Sequence, residues 1–185
     1  MAAGLFDWLK ALFGGGQPSG APFARGKGPA RLLIMRHAEK TGDKRDPDLS
    51  QAGEERAQQL ATWLPRTFGK PDFIIAAARS KRSNRSYETV APLAQALGLP
   101  IRDDLDYEDT ETLVEELAEP QYAGKYGVIA WHHSEIPAML AELGAQPGSY
   151  PDTWDETVFD LVFDLHFRDN APPAIRAVNE NFEDR

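Results

Sequence analysis

Leu32-Leu33-Ile34-Met35 is followed at once by Arg36-His37-Ala38-Glu39, so an apolar run ends abruptly in charge. Four consecutive apolar side chains suit a strand buried on both faces, because alternate residues enter opposite layers. The pattern returns in Phe73-Ile74-Ile75-Ala76-Ala77 and in Val128-Ile129-Ala130-Trp131. Helical spacing lies between these runs. Ser50 is placed to cap a helix carrying Ala57, Leu60, Ala61 and Leu64 on one face, with Pro65 as its expected stop. Tyr87 to Leu97 predicts a second helix ending at Gly98, and Thr110 to Leu117 a third. Ile136 to Leu143 predicts a fourth, closed by Gly144. Alternating strands and helices predict an α/β fold: a three-layer sandwich with a mostly parallel, open sheet and helices on both faces.

Further out, Thr157 to Phe167 alternates strictly and predicts a half-exposed strand at or near a sheet edge. Phe159, Leu161, Phe163, Leu165 and Phe167 would point inward, with Asp160, Asp164 and His166 outward. At the other end, residues 1–29 read as a separate segment. Leu5, Phe6, Trp8, Leu9, Leu12 and Phe13 form the apolar face of a short amphipathic helix, and a Gly/Pro-rich linker follows it. That face suits weak contact with a membrane surface, with another protein or with the body itself. A single lysine in the helix is too little for strong attraction to anionic lipid. Residues 30–185 are expected to form one domain.

The chain has 185 residues, 42% of them apolar and 26% charged, and no cysteine. Disulfides, thiolate metal sites and a cysteine nucleophile are thereby excluded. No stretch reaches the roughly 20 apolar residues of a membrane span, and the amino terminus lacks the pattern of a secretory signal. The expected compartment is the cytoplasm. A net charge of −9 argues against nucleic acid as a partner. The charge is uneven: residues 127–185 carry a balance of −8, whereas Arg79, Lys81, Arg82 and Arg85 crowd one short stretch. A dense cationic loop in an acidic protein points to a local anion site.

Ligands of open α/β sheets bind beyond the carboxyl ends of the strands. The three apolar runs deliver Arg36-His37, then the basic loop and Arg85 with Thr89 one turn later, then His132-His133 to that edge. Guanidinium forks and a helix start hold anions, and an imidazole beside them can attack phosphorus once the repulsion is neutralised.

These pieces resemble the histidine phosphatase superfamily, the phosphoglycerate-mutase-like enzymes. Arg36-His37-Ala38-Glu39 is similar to the family's Arg-His-Gly-Glu signature, and Leu49-Ser50-Gln51-Ala52-Gly53 to its Leu-Thr-x-x-Gly helix start. Arg85-Ser86-Tyr87-Glu88-Thr89 resembles Arg-Ala-x-x-Thr, and Val128 to Leu143 the late strand–His–helix element. The resemblance covers residues 31 to about 145 and makes residues 30–185 a histidine phosphatase-like domain. It implies that His37 is the nucleophile, forming a phosphohistidine that water hydrolyses. It implies too that Arg36 and Arg85 clamp the phosphate oxygens beside a second histidine, and that neither metal nor cofactor is needed. The second histidine is His132 or His133, with Trp131 favouring His133 through a Trp-x-His strand end. Glu39, as part of the signature, is expected to contact substrate, and Lys81 and Arg82 to add substrate-binding cations.

The sequence departs from the family where Ala38 replaces glycine and where a longer loop, Arg79 to Asn84, replaces Ser-Ser-Pro. The acid that protonates the leaving group has no clear counterpart; Asp106, Glu108, Asp109 and Glu135 are the candidates, and without one, leaving groups of low pKa are preferred. The expected activity is hydrolysis of a phosphomonoester, on a small molecule or a phosphorylated protein side chain. The alternatives are a mutase, for which the chain is short and lacks an extended lid, and a non-catalytic phosphate-binding module.

Overall fold

Arg31–Arg36 forms the first strand, β1, at the centre of a six-stranded sheet, as its unbroken apolar run requires. The computed structural model describes residues 21–180 and 182, so the helix expected over residues 5–13 lies outside the described residues. After β1 come α1 (Gln51–Phe68), β2 (Phe73–Ala76), α2 (Arg85–Leu97) and β3 (Ile101–Arg102). They are followed by α3 (Thr110–Glu116), a 3-10 turn (Pro120–Tyr122), β4 (Tyr126–Trp131), α4 (Ile136–Glu142), β5 (Leu161–Arg168) and β6 (Ala171–Asn179). The spatial order is β3-β2-β4-β1-β5-β6, with β3, β2, β4 and β1 parallel and β5 antiparallel to both its neighbours. Among the described residues no helix is long and apolar enough to cross a membrane.

Alternation along β1 feeds two cores. Leu32 and Ile34 pack with Leu113, Met139 and Leu140 of α3 and α4, while Leu33 and Met35 pack with Leu60, Leu64, Val90 and Leu93 of α1 and α2. The result is the three-layer α/β sandwich. Because β2, β4 and β1 are adjacent and parallel, the loops after all three open at one edge.

Three local expectations change. α1 does not stop at Pro65 but runs one turn further, to Phe68. Proline removes one N–H, but the extra turn buries Phe68 against Trp63, ring centroids 5.2 Å apart, and lets its carbonyl accept from Arg31 at 2.8 Å. The strand expected from Thr157 begins only at Leu161, leaving Phe159 in the loop before it. Asp164 does not face solvent: it is 1% exposed, because β6 flanks β5 on one side and β1 on the other, and the side chains of Arg31, Arg176 and His166 close over it. Arg31 reaches its carboxylate at 2.7 and 3.0 Å, Arg176 at 3.0 Å and His166 at 3.1 Å. β6 itself was hidden by Pro172-Pro173, which a central strand excludes and an edge strand tolerates.

The later part of the expected linker is attached to the body. Phe23 is buried and meets Phe167 edge-on at 5.3 Å, and Gly28 accepts from Gly124 at 2.9 Å.

Candidate active site

His37 extends β1 by one residue, its N–H donating to the Trp131 carbonyl at 3.0 Å. The imidazole is 3% exposed, and its Nδ1 lies 2.7 Å from the Ala38 carbonyl. A carbonyl only accepts, so Nδ1 carries the proton and Nε2 keeps the lone pair. Burial pulls the His37 pKa down to about 3; the Ala38 bond opposes this, and the charges of Arg36, His132 and Arg85 add to it. At neutral pH the ring is therefore an uncharged base with its nucleophilic nitrogen free.

Arg36 is 1% exposed. Its Nη1 donates to the carbonyls of Glu156 and Val158 at 2.6 and 3.1 Å, and its guanidinium carbon sits 3.8 Å from the Phe159 ring centre. Its Nε and Nη2 are buried and have no partner among the described residues. Such donors are costly to leave unmet, which makes them a socket for an anion. Burial chiefly lowers the Arg36 pKa to about 10, so the group stays cationic.

Arg85 opens α2, where Nη2 donates to the Asp46 carbonyl at 2.6 Å and Nε to that of Asp48 at 3.3 Å. Its charge acts on Arg36, His37 and His132 alike. Thr89 locks the two elements together: its hydroxyl donates to the Arg85 carbonyl at 2.7 Å and accepts from the Ala38 N–H at 2.8 Å.

The imidazole that meets His37 is that of His132, with ring centroids 5.6 Å apart and planes at 76°. Its pKa is lowered to about 4, by burial first and then by Arg85 and His133, with Asp106 opposing. His133 is half-buried, and its proton affinity is lowered by burial, Arg36 and Lys40 and raised by Glu156. No ring contact joins it to His37 among the described residues.

The expected outer contacts divide. The Glu39 carboxylate is held by Arg56 at 2.7 to 2.9 Å, and Arg56 also binds the buried Glu180 at 2.7 Å, so Glu39 braces the loop after His37. Lys81 and Arg82 are exposed, and their cationic groups have no partner among the described residues. Arg79 of the same loop is committed to Asp103 at 2.7 Å and lies over Tyr87 at 4.0 Å. Of the four candidate acids, Asp106 acts on His132, and Glu108 accepts from the Tyr107 hydroxyl at 2.8 Å. Asp109 and Glu135 occupy the N-cap positions of α3 and α4.

Sequence reasoning missed the roof over Arg36 and the wall beside His132. Phe159 was assigned to a strand, and nothing in a linear pattern marks the carbonyls of Glu156 and Val158 as acceptors for a side chain 120 residues earlier. Tyr107, stacked on His132 at 4.5 Å and 12°, lies between Asp106 and Glu108 in the sequence, where no periodicity marks a ring as the neighbour of a histidine 25 residues later. Together, two cations and two neutral imidazoles can surround a tetrahedral dianion, with one nitrogen free to attack it.

A sequence model of the histidine phosphatase superfamily (branch 1) matches residues 32–147. No curated protein matches the chain by sequence. Among solved structures, the chain is similar to the protein histidine phosphatase SixA complexed with tungstate (14% identity, 81% of this chain and 97% of that one, TM-score 0.59). It is also similar to a mycobacterial glucosyl-3-phosphoglycerate phosphatase (19% identity, 82% and 98%, TM-score 0.58). A third likeness is to a phosphoglycerate mutase from Plasmodium falciparum (14% identity, 86% and 98%, TM-score 0.56). At these identities the likeness is one of fold.

Proposed function

The chain belongs to the histidine phosphatase superfamily, and from that premise we propose that it hydrolyses a phosphomonoester through a phosphohistidine on His37. The observation that carries this reading is the pair of unmet, buried donors on Arg36 beside an imidazole whose proton rests on Nδ1. A phosphoryl group seated there would meet Nε2 as nucleophile, with Arg36, Arg85 and His132 around its equatorial oxygens. Nε2 forms the bond to phosphorus while the ester P–O bond breaks, and its electron pair leaves with the alcohol oxygen. Water then attacks phosphorus, the P–N bond breaks, and phosphate departs with His37 neutral again.

The leaving oxygen needs a proton, and Asp106 is the one candidate acid whose charge acts on a pocket imidazole among the described residues. Among the described residues no hydrogen bond holds that exposed side chain against the leaving oxygen, so aryl and other low-pKa leaving groups should turn over faster than alkyl ones. Lys81 and Arg82 would add attraction for a second anionic group on the substrate.

A rapid base quench of enzyme mixed with p-nitrophenyl phosphate should trap phosphate on His37, and subsequent acid should release it. His37→Ala should abolish it and lower turnover by roughly a thousand-fold or more. Turnover surviving within ten-fold in that variant would end the proposal, and phosphate migration without free phosphate would identify a mutase instead.

A further inference from the structure

His132 reaches the site from the residue just after β4, yet neither of its ring nitrogens has a hydrogen-bond partner among the described residues. The device that usually orients a working histidine, a carboxylate or carbonyl on its far nitrogen, is missing here. What meets the ring instead is a flat aromatic face: Tyr107 lies parallel to it at 12°, centroids 4.5 Å apart. Parallel rings at this distance attract beyond simple burial, and they restrict the imidazole to one plane. We propose that Tyr107 is the positioning residue that holds the His132 imidazole against His37 and the phosphate it would receive.

Tyr107 can do this because it is itself held from three directions. Its carbonyl accepts from the Trp131 indole N–H at 2.8 Å, and that indole is fully buried in the core beneath the sheet edge. Two residues earlier, the Leu105 carbonyl accepts from the Ala78 N–H at 2.7 Å, pinning the loop to the end of β2. At the ring's tip, the hydroxyl donates to Glu108 at 2.8 Å. Trp131 thus serves His132 indirectly: the last residue of β4 carries the indole that anchors the wall of the histidine just after the strand. The ring stack, and not the hydroxyl, is the functional part.

This role rests on His132 being the second imidazole of the proposed phosphatase, so its test includes a readout that needs no turnover. In histidine-labelled protein, stacking shifts the carbon-bound protons of His132 upfield through the ring current of Tyr107. Tyr107→Phe should keep that shift, and Tyr107→Leu, which keeps the bulk but not the flat face, should lose it. With p-nitrophenyl phosphate, Tyr107→Phe should stay within about two-fold of wild type, while Tyr107→Leu lowers kcat by about ten-fold or more with little change in KM, since misplacement by ~1 Å can cost ~100-fold. Unmoved His132 resonances in Tyr107→Leu, or kcat within about two-fold of wild type, would overturn the assignment. Absent turnover in the wild-type protein would count against the proposed function, and the spectra would still decide whether Tyr107 places His132.

Discussion

A single carbonyl does much of the work at the residue scale. By accepting from Nδ1 of His37, the Ala38 oxygen selects the tautomer whose Nε2 is bare, and burial keeps the ring from protonating. The same burial would be ruinous for Arg36 if its unmet donors had no ligand to bind, so nucleophile and anion socket make sense only together. One consequence can be measured without substrate. The His37 ring should show no protonation step between pH 8 and pH 5 in an NMR titration, because its pKa is held near 3 in the free protein. A midpoint near 6.5, the ordinary value, would mean that the ring is solvated and the site open to water.

Among the elements, the N-terminus of α1 does more than cap itself. Ser50 accepts from Gly53 at 3.2 Å, and both its N–H and its hydroxyl donate to the Glu39 carbonyl, at 2.9 and 3.2 Å. Gly53 sits so close that a Cβ placed on it would lie 2.3 Å from that same carbonyl. One turn on, Arg56 grips the Glu39 side chain. The helix start is thus a mould for Glu39, the second residue after His37. Gly53→Ala should gain about 1 kcal/mol in an isolated helix. Here it should lower stability by roughly 1–2 kcal/mol in urea unfolding, because overpacking against backbone outweighs propensity. Turnover should fall with it. A variant more stable than wild type would show that the loop yields freely.

At the scale of the whole molecule, the Asp164 cluster sits far along β1 from the site and joins three strands, with Arg31 on β1, Asp164 and His166 on β5 and Arg176 on β6. Burial alone would raise the Asp164 pKa, but the bonds from Arg31 and Arg176 outweigh it and hold the carboxyl below its ordinary value. Stabilisation from such a group is complete above its unfolded pKa of about 3.9 and is lost as pH falls through the lower folded value. Asp164→Asn should therefore cost roughly 3 kcal/mol near pH 7, and the gap from wild type should narrow below pH 4. A gap that persists unchanged at pH 2 would mean that the carboxylate's charge contributes nothing. The cluster also separates what was legible in the sequence from what was not. Local pattern reveals whatever a strand or helix does by itself: unbroken apolar runs in Leu32–Met35, Phe73–Ala77 and Val128–Trp131 imply strands covered on both faces, and their ends place Arg36, His37, Arg85 and the histidine pair at one edge. It misses whatever depends on neighbours. Asp164 reads as solvated until β6 covers its flank, Pro65 reads as a stop until Phe68 finds Trp63, and which of His132 and His133 meets the His37 ring shows only in the folded chain, where the His132 ring lies 5.6 Å from it. Periodicity is a property of one segment, whereas a partner across space exists only once the chain has closed on itself, and burial and hydrogen bonding are settled by that partner.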